Sequence, residues 1–155
     1  CSVSLATMMA KLLDCLQAQH RSLDECLERT AHQTDGFDHA DCLRTFDALV
    51  ARIRQQFALE EQLLVPIYGP EHAGETADRL RRDHRSIEAL LDESRAKLAA
   101  GDVEAFRDGA QVLMFKLELH ADREERALAS ELWSAENEEH ERAAGLFVER
   151  MAPRD

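Results

Sequence analysis

Gln56-Phe57-Ala58-Leu59-Glu60-Glu61 and His120-Ala121-Asp122-Arg123-Glu124-Glu125 stand 64 residues apart, and reading them together decides the fold. Glu60 recurs as Glu124, and Gln56 recurs as His120. The same offset carries His20-Arg21-Ser22 onto His84-Arg85-Ser86. The chain is therefore expected to hold two hairpins of like design, each bringing a His and a Glu to one place. Metal sites inside helix bundles are built this way, from carboxylates and imidazoles on inward faces.

Around these segments, seam residues follow one another in alternate steps of four and three, four times over. The runs are Met9, Leu13, Leu16, His20, Leu23, Leu27; Cys42, Phe46, Leu49, Ile53, Gln56, Glu60, Leu63; Ala77, Leu80, His84, Ile87, Leu91, Ser94, Leu98; and Phe106, Ala110, Leu113, Leu117, His120, Glu124, Ala127. Such stripes are the buried seams of packed helices. Breaks separate them. Thr34-Asp35-Gly36 can end the first helix, with Asp35 or Asp38 to cap the second. Pro66 and Gly69-Pro70 close the second, and Gly101-Asp102 supplies a terminal glycine and then a cap for the fourth. Past Trp133, Ser134 can cap a shorter helix that stops before Pro153. Its Leu146, Phe147 and Met151 are expected to cover one end of the bundle or a partner chain.

The expected architecture is all-α, an up-down-up-down antiparallel four-helix bundle with a short C-terminal helix. The bundle spans about residues 5–133 and the extra helix about 135–151, in a single domain over residues 1–155.

Composition narrows the function. A net charge of −12 argues against nucleic acid and against anionic membrane surfaces. No apolar run approaches the roughly 20 residues that span a bilayer. Cys1, Cys15, Cys26 and Cys42 include no C-x-x-C pair, so no zinc cage or redox dithiol is indicated and free thiols are expected. Ser2–Ala10 lacks the layout of a signal peptide, and a cytoplasmic location is expected.

The candidate site is His20, Gln56, Glu60, His84, His120 and Glu124, all at seam positions where the periodicity otherwise asks for Leu, Ile or Phe. Gln56 and Glu60, like His120 and Glu124, are one helical turn apart on one face. An unpaired buried ion costs several kcal/mol, while a whole domain is stable by only about 5–15 kcal/mol. A cation resolves the difficulty, since carboxylate oxygens and neutral imidazole nitrogens are its natural ligands. A hydrogen-bonded or water-filled polar layer without an ion stays open as the competing reading. Glu61 and Glu125 are expected to face solvent, and His32, His39, His72 and His140 to lie on the surface. Asp24 and Glu88, four residues beyond His20 and His84, are expected on an exposed face, with orientation of the imidazoles as the alternative.

At these residues the chain resembles the hemerythrin-like family, whose members contain the HHE cation-binding domain. The resemblance runs from about Met8 to Leu132. It rests on His20, on Gln56-Phe57-Ala58-Leu59-Glu60-Glu61 followed by Leu63-Leu64-Val65-Pro66, on Asp83-His84, and on His120 through Glu125. The resemblance implies a non-haem di-iron centre. Glu60 and Glu124 would bridge, His84 and His120 would serve one iron, and His20 the other.

Two departures matter. Leu80, four residues before His84, leaves the third helix without the His-x-x-x-His pair of oxygen-carrying members. That turns the expectation from reversible oxygen transport to sensing, storage or redox handling of oxygen, peroxide, nitric oxide or iron. Gln56 stands where the family has His, and a neutral amide is a weaker iron ligand than imidazole. The expected centre is therefore asymmetric, firm at His84, His120 and the glutamates and weaker at His20, holding one or two irons, with zinc or manganese as alternatives. An open coordination position would take a diatomic or peroxide ligand. The competing readings are a di-iron enzyme reducing peroxide or nitric oxide or repairing iron centres, and a metal-free regulatory bundle. A homodimer is compatible with all of them.

Overall fold

The computed structural model describes residues 5–32, 38–67, 73–131 and 138–151. The chain is all-helical, with no strand among the described residues. Helix α1 covers Leu5–His32, α2 His39–Leu59, α3 Ala73–Ala99, α4 Val103–Glu131 and α5 Glu138–Met151. The breaks expected at Thr34-Asp35-Gly36 and Gly69-Pro70, and the signals at Trp133, Ser134 and Pro153, lie outside the described residues, as does His72.

Local chemistry sets the ends that are described. Asp38 caps α2, its carboxylate accepting from the Ala40 N–H at 3.2 Å. Between α3 and α4, Gly101 takes φ +76, a backbone conformation that costs glycine little. Its N–H donates to the Leu98 carbonyl and the Asp102 N–H to the Lys97 carbonyl, both at 3.0 Å. Asp102 then starts the next helix by accepting from the Ala105 N–H at 3.1 Å.

The end of α2 departs from a plain stop. At Glu60 it widens into a π turn over Glu60–Leu64, in which the Val65 N–H donates to the Glu60 carbonyl. A 3₁₀ turn over Val65–Ile67 follows, containing Pro66, which has no N–H to continue the ladder. π turns inside helices are frequent at functional sites. Here the extra residue lets Leu63, Leu64 and Ile67 all bury while Glu60 stays inside.

Helix α1 packs on α2 and α4, and α3 packs on α2 and α4. Contacts across α2–α3 and across α3–α4 run in opposite senses. Asp47 meets Arg95 while Arg54 meets Asp92, and Asp83 meets Arg123 while Ser94 faces Gly109. α5 lies against α1 and the π turn, burying Ala144 and Phe147, and Gln19 of α1 donates to the Met151 carbonyl at 2.9 Å. Phe147 and Met151 thus face the other helices, while Leu146 is exposed.

Two apolar clusters fill the interior. One gathers Leu27, Phe46, Ile53, Leu91, Phe106 and Leu113. The other gathers Met9, Leu12, Leu16, Leu64, Leu128 and Phe147. The heptad seams hold, with slips at the outer ends: Leu12 is more buried than Leu13, and Leu128 more than Ala127. A straight helix of 3.6 residues per turn drifts off a seven-residue repeat by about 20° per heptad, which moves the seam by one position there.

Candidate metal centre

All six residues singled out by the repeat are buried, and the helices bring them together. His20 comes from α1, Gln56 from α2, Glu60 from the start of the π turn, His84 from α3, and His120 and Glu124 from α4. Glu60 and Glu124 are 0% and 2% exposed, so both carboxylates are removed from water.

Glu60 occupies the middle. Its Oε2 lies 2.9 Å from His84 Nε2 and 3.4 Å from His120 Nε2. Its Oε1 accepts from the Gln56 amide at 2.9 Å and lies 3.6 Å from His20 Nε2. Glu124 Oε2 stands 3.3 Å from the Nε2 atoms of both His20 and His120. Yet both Glu124 oxygens and His20 Nε2 are buried and form no hydrogen bond. Leaving such groups unsatisfied costs about 1–3 kcal/mol each, more for a charge. One donor atom from each of His20, Glu60, His120 and Glu124 lies within 4.8 Å of the others, a spacing that can hold one metal ion. His84 and Gln56 join this group through Glu60.

The outer ring nitrogens face carboxylates. His20 Nδ1 is 2.9 Å from Glu125, and His84 Nδ1 is 2.7 Å from Glu61. His120 Nδ1 lies 3.9 Å from Asp83, whose carboxylate also accepts from Arg123 at 3.3 Å. The first two contacts hold the His20 and His84 rings with Nε2 pointing inward, the arrangement that orients metal-binding imidazoles, while His120 Nδ1 is buried without a hydrogen bond. Phe57 stacks on His84 at 3.9 Å with 8° between the rings and walls off one side.

The sequence reading missed these three acids. Glu61 and Glu125, expected to face solvent, each cross to the imidazole of a neighbouring helix. The repeated Glu-Glu doublet was the available signal, since the 64-residue offset relates Glu61 to Glu125 just as it relates His20 to His84. Asp83 precedes His84 but faces His120. Neither Asp24 nor Glu88 hydrogen-bonds an imidazole among the described residues; Asp24 is half-buried, and burial together with Glu118 raises its pKa to about 6. His32 and His39 are exposed, whereas His140 is half-buried.

The electrostatics follow from burial and pairing. Burial opposes the proton on His20, but Glu124, Glu125 and Glu60 outweigh it and raise the imidazole well above its ordinary 6.5. His120 is raised likewise, with burial overcome by Asp83, Glu124 and Glu60. Burial would lift Glu60, yet the neighbouring imidazoles of His120, His20 and His84 pull it well below 4.5. Without an ion, the layer balances its carboxylates with protons. A divalent cation can replace those protons and satisfy the orphaned oxygens at once.

Comparison with known proteins agrees with this chemistry. A family model described as the hemerythrin HHE cation-binding domain matches residues 11–132. No curated protein and no solved structure matches the chain.

Proposed function

The chain belongs to the hemerythrin HHE cation-binding family, and on that premise we propose that it holds non-haem iron among His20, Glu60, His84, His120 and Glu124. The four helices α1–α4 form an up-down-up-down antiparallel bundle in one domain, a reading supported by the opposed contacts across neighbouring helices. The observation that carries the assignment is the convergence of one ligand atom each from buried His20, Glu60, His120 and Glu124 within 4.8 Å, with both Glu124 oxygens and His20 Nε2 lacking a hydrogen bond. Nitrogen and carboxylate donors in this mixture suit iron, with zinc and manganese as the other candidates.

Each residue has a task. Glu60 and Glu124 would neutralise the ion, and His20, His84 and His120 would complete its shell through Nε2. Glu61 and Glu125 hold the His84 and His20 rings in place from outside, and Asp83 places a carboxylate 3.9 Å from His120 Nδ1. Gln56 engages Glu60 through its amide N–H, so it steadies a carboxylate rather than standing as a strong ligand, which favours unequal occupancy of two positions. Bound iron would supply an exchangeable coordination position and one-electron redox chemistry. The apolar clusters on either side keep bulk water away from that position.

With Leu80 buried where a second imidazole would stand on α3, the centre suits sensing, storage or redox handling of a diatomic or peroxide ligand better than reversible transport. The test is elemental analysis of protein produced in iron-rich medium, with its absorption spectrum. Bound iron with near-ultraviolet and visible absorption is expected. Protein free of metal and indifferent to added Fe(II) would instead make the layer a metal-free structural element.

A further inference from the structure

The 64-residue offset relates two surface clefts flanking the polar layer, and they differ in a telling way. In the first, Asp83 sits between His120, at 3.9 Å, and Arg123, at 3.3 Å, and the cleft retains about 60 Å³. In the second, Gln19 stands for Asp83, Gln56 for His120 and Arg52 for Lys116, and the cleft has about 140 Å³. The carboxylate of the first cleft has no counterpart in the second. The Gln19 amide donates to the Met151 carbonyl at 2.9 Å, satisfying the end of α5 and leaving the space open.

Two arginines line this larger cleft. Arg52 donates to Cys26 Sγ and to Ser22 Oγ, each at 3.1 Å, and pairs with no carboxylate among the described residues. Arg150, contributed by the last turn of α5, also pairs with none among the described residues. In a chain of net charge −12, two arginines lining one cleft whose lining holds no acid mark a local site for negative charge. The floor is Gln56, 2% exposed and bonded to Glu60.

We propose that this cleft binds a small planar oxyanion of the carboxylate or nitrite kind, which takes the place that the Asp83 carboxylate fills in the related cleft. Guanidinium groups match such anions through paired N–H donors. The volume, against about 30 Å³ for a water molecule in the liquid, admits formate, acetate or nitrite. The site lies beside the polar layer but does not require an ion in it.

Side-chain NMR of arginine Nε–Hε groups, followed while formate, acetate or nitrite replaces chloride at constant ionic strength, tests the proposal. Saturable shifts at Arg52 and Arg150 are expected, with no response to neutral formamide. The Arg52→Gln/Arg150→Gln double variant should bind formate at least tenfold more weakly. Gln19→Asp should also abolish the response while keeping both arginines, because the chain then supplies its own carboxylate. Shifts that grow linearly without saturation, or formate affinity unchanged in both variants, would overturn the site. Metal uptake, measured on the same samples, separates the two claims: formate binding by protein that takes up no metal upholds the cleft and refutes the centre.

Discussion

Adding a divalent cation to the metal-free protein near pH 7 should drive protons into solution. His20 and His120 are both raised well above 6.5 by the carboxylates around them, so each carries a proton there. Ligation through Nε2 requires that proton to leave, and binding should release roughly two. Each proton makes the apparent affinity change about tenfold per pH unit, or about 1.36 kcal/mol. Two give about a hundredfold per unit, about 2.7 kcal/mol, until the pH passes the raised values and the slope flattens. Calorimetric titration with zinc, which is redox-silent, in two buffers of different ionisation enthalpy at one pH counts the protons directly. Glu124→Gln removes a charge 3.3 Å from both rings and should lower the count along with the affinity. A count near zero, with affinity independent of pH below neutrality, would refute the reasoning.

The metal-free protein should show its own pH optimum. His20 and His120 are more basic folded than unfolded, so their contribution is whole below about 6.5 and drains as pH rises through the raised values. Glu60 is more acidic folded, so its contribution is whole above about 4.5 and drains as pH falls through its lowered value. Urea midpoints measured across pH should therefore peak between these limits, and a midpoint rising steadily through neutrality would contradict the pairing. Gln56→His should raise metal stoichiometry or tighten the weaker position in a chelator competition; unchanged stoichiometry and affinity would remove Gln56 as the cause of asymmetry. Glu61→Gln and Glu125→Gln should each weaken metal binding about tenfold to a hundredfold, the usual effect of losing a group that orients a metal-bound imidazole. Equal affinity in both variants would make those contacts incidental.

The helices and the inward set were legible because burial enforces periodicity. His20, Gln56, Glu60, His84, His120 and Glu124 stood out as polar residues on apolar seams, and each is buried. The π turn was not legible. Glu60–Leu64 reads as ordinary helix, and the widening depends on neighbours that bury Leu63 and Leu64 together. For the same reason Glu61, one step off the seam, read as solvent-facing although it meets His84 on the next helix. Asp83 shows a different limit: order in the chain pairs it with His84, whereas helix packing pairs it with His120 and Arg123. The replacement of Asp83 by Gln19 in the offset was readable, but the space it leaves depends on α5 arriving over α1.

The claim beneath all of this is that the polar layer exists to hold an ion. Its most direct test is iron uptake by the purified chain and by Glu124→Ala, with circular dichroism confirming that both remain helical. Stoichiometric iron in the parent chain and its loss in the variant are the predicted result. No uptake by the parent chain, or equal uptake by both, would contradict the claim.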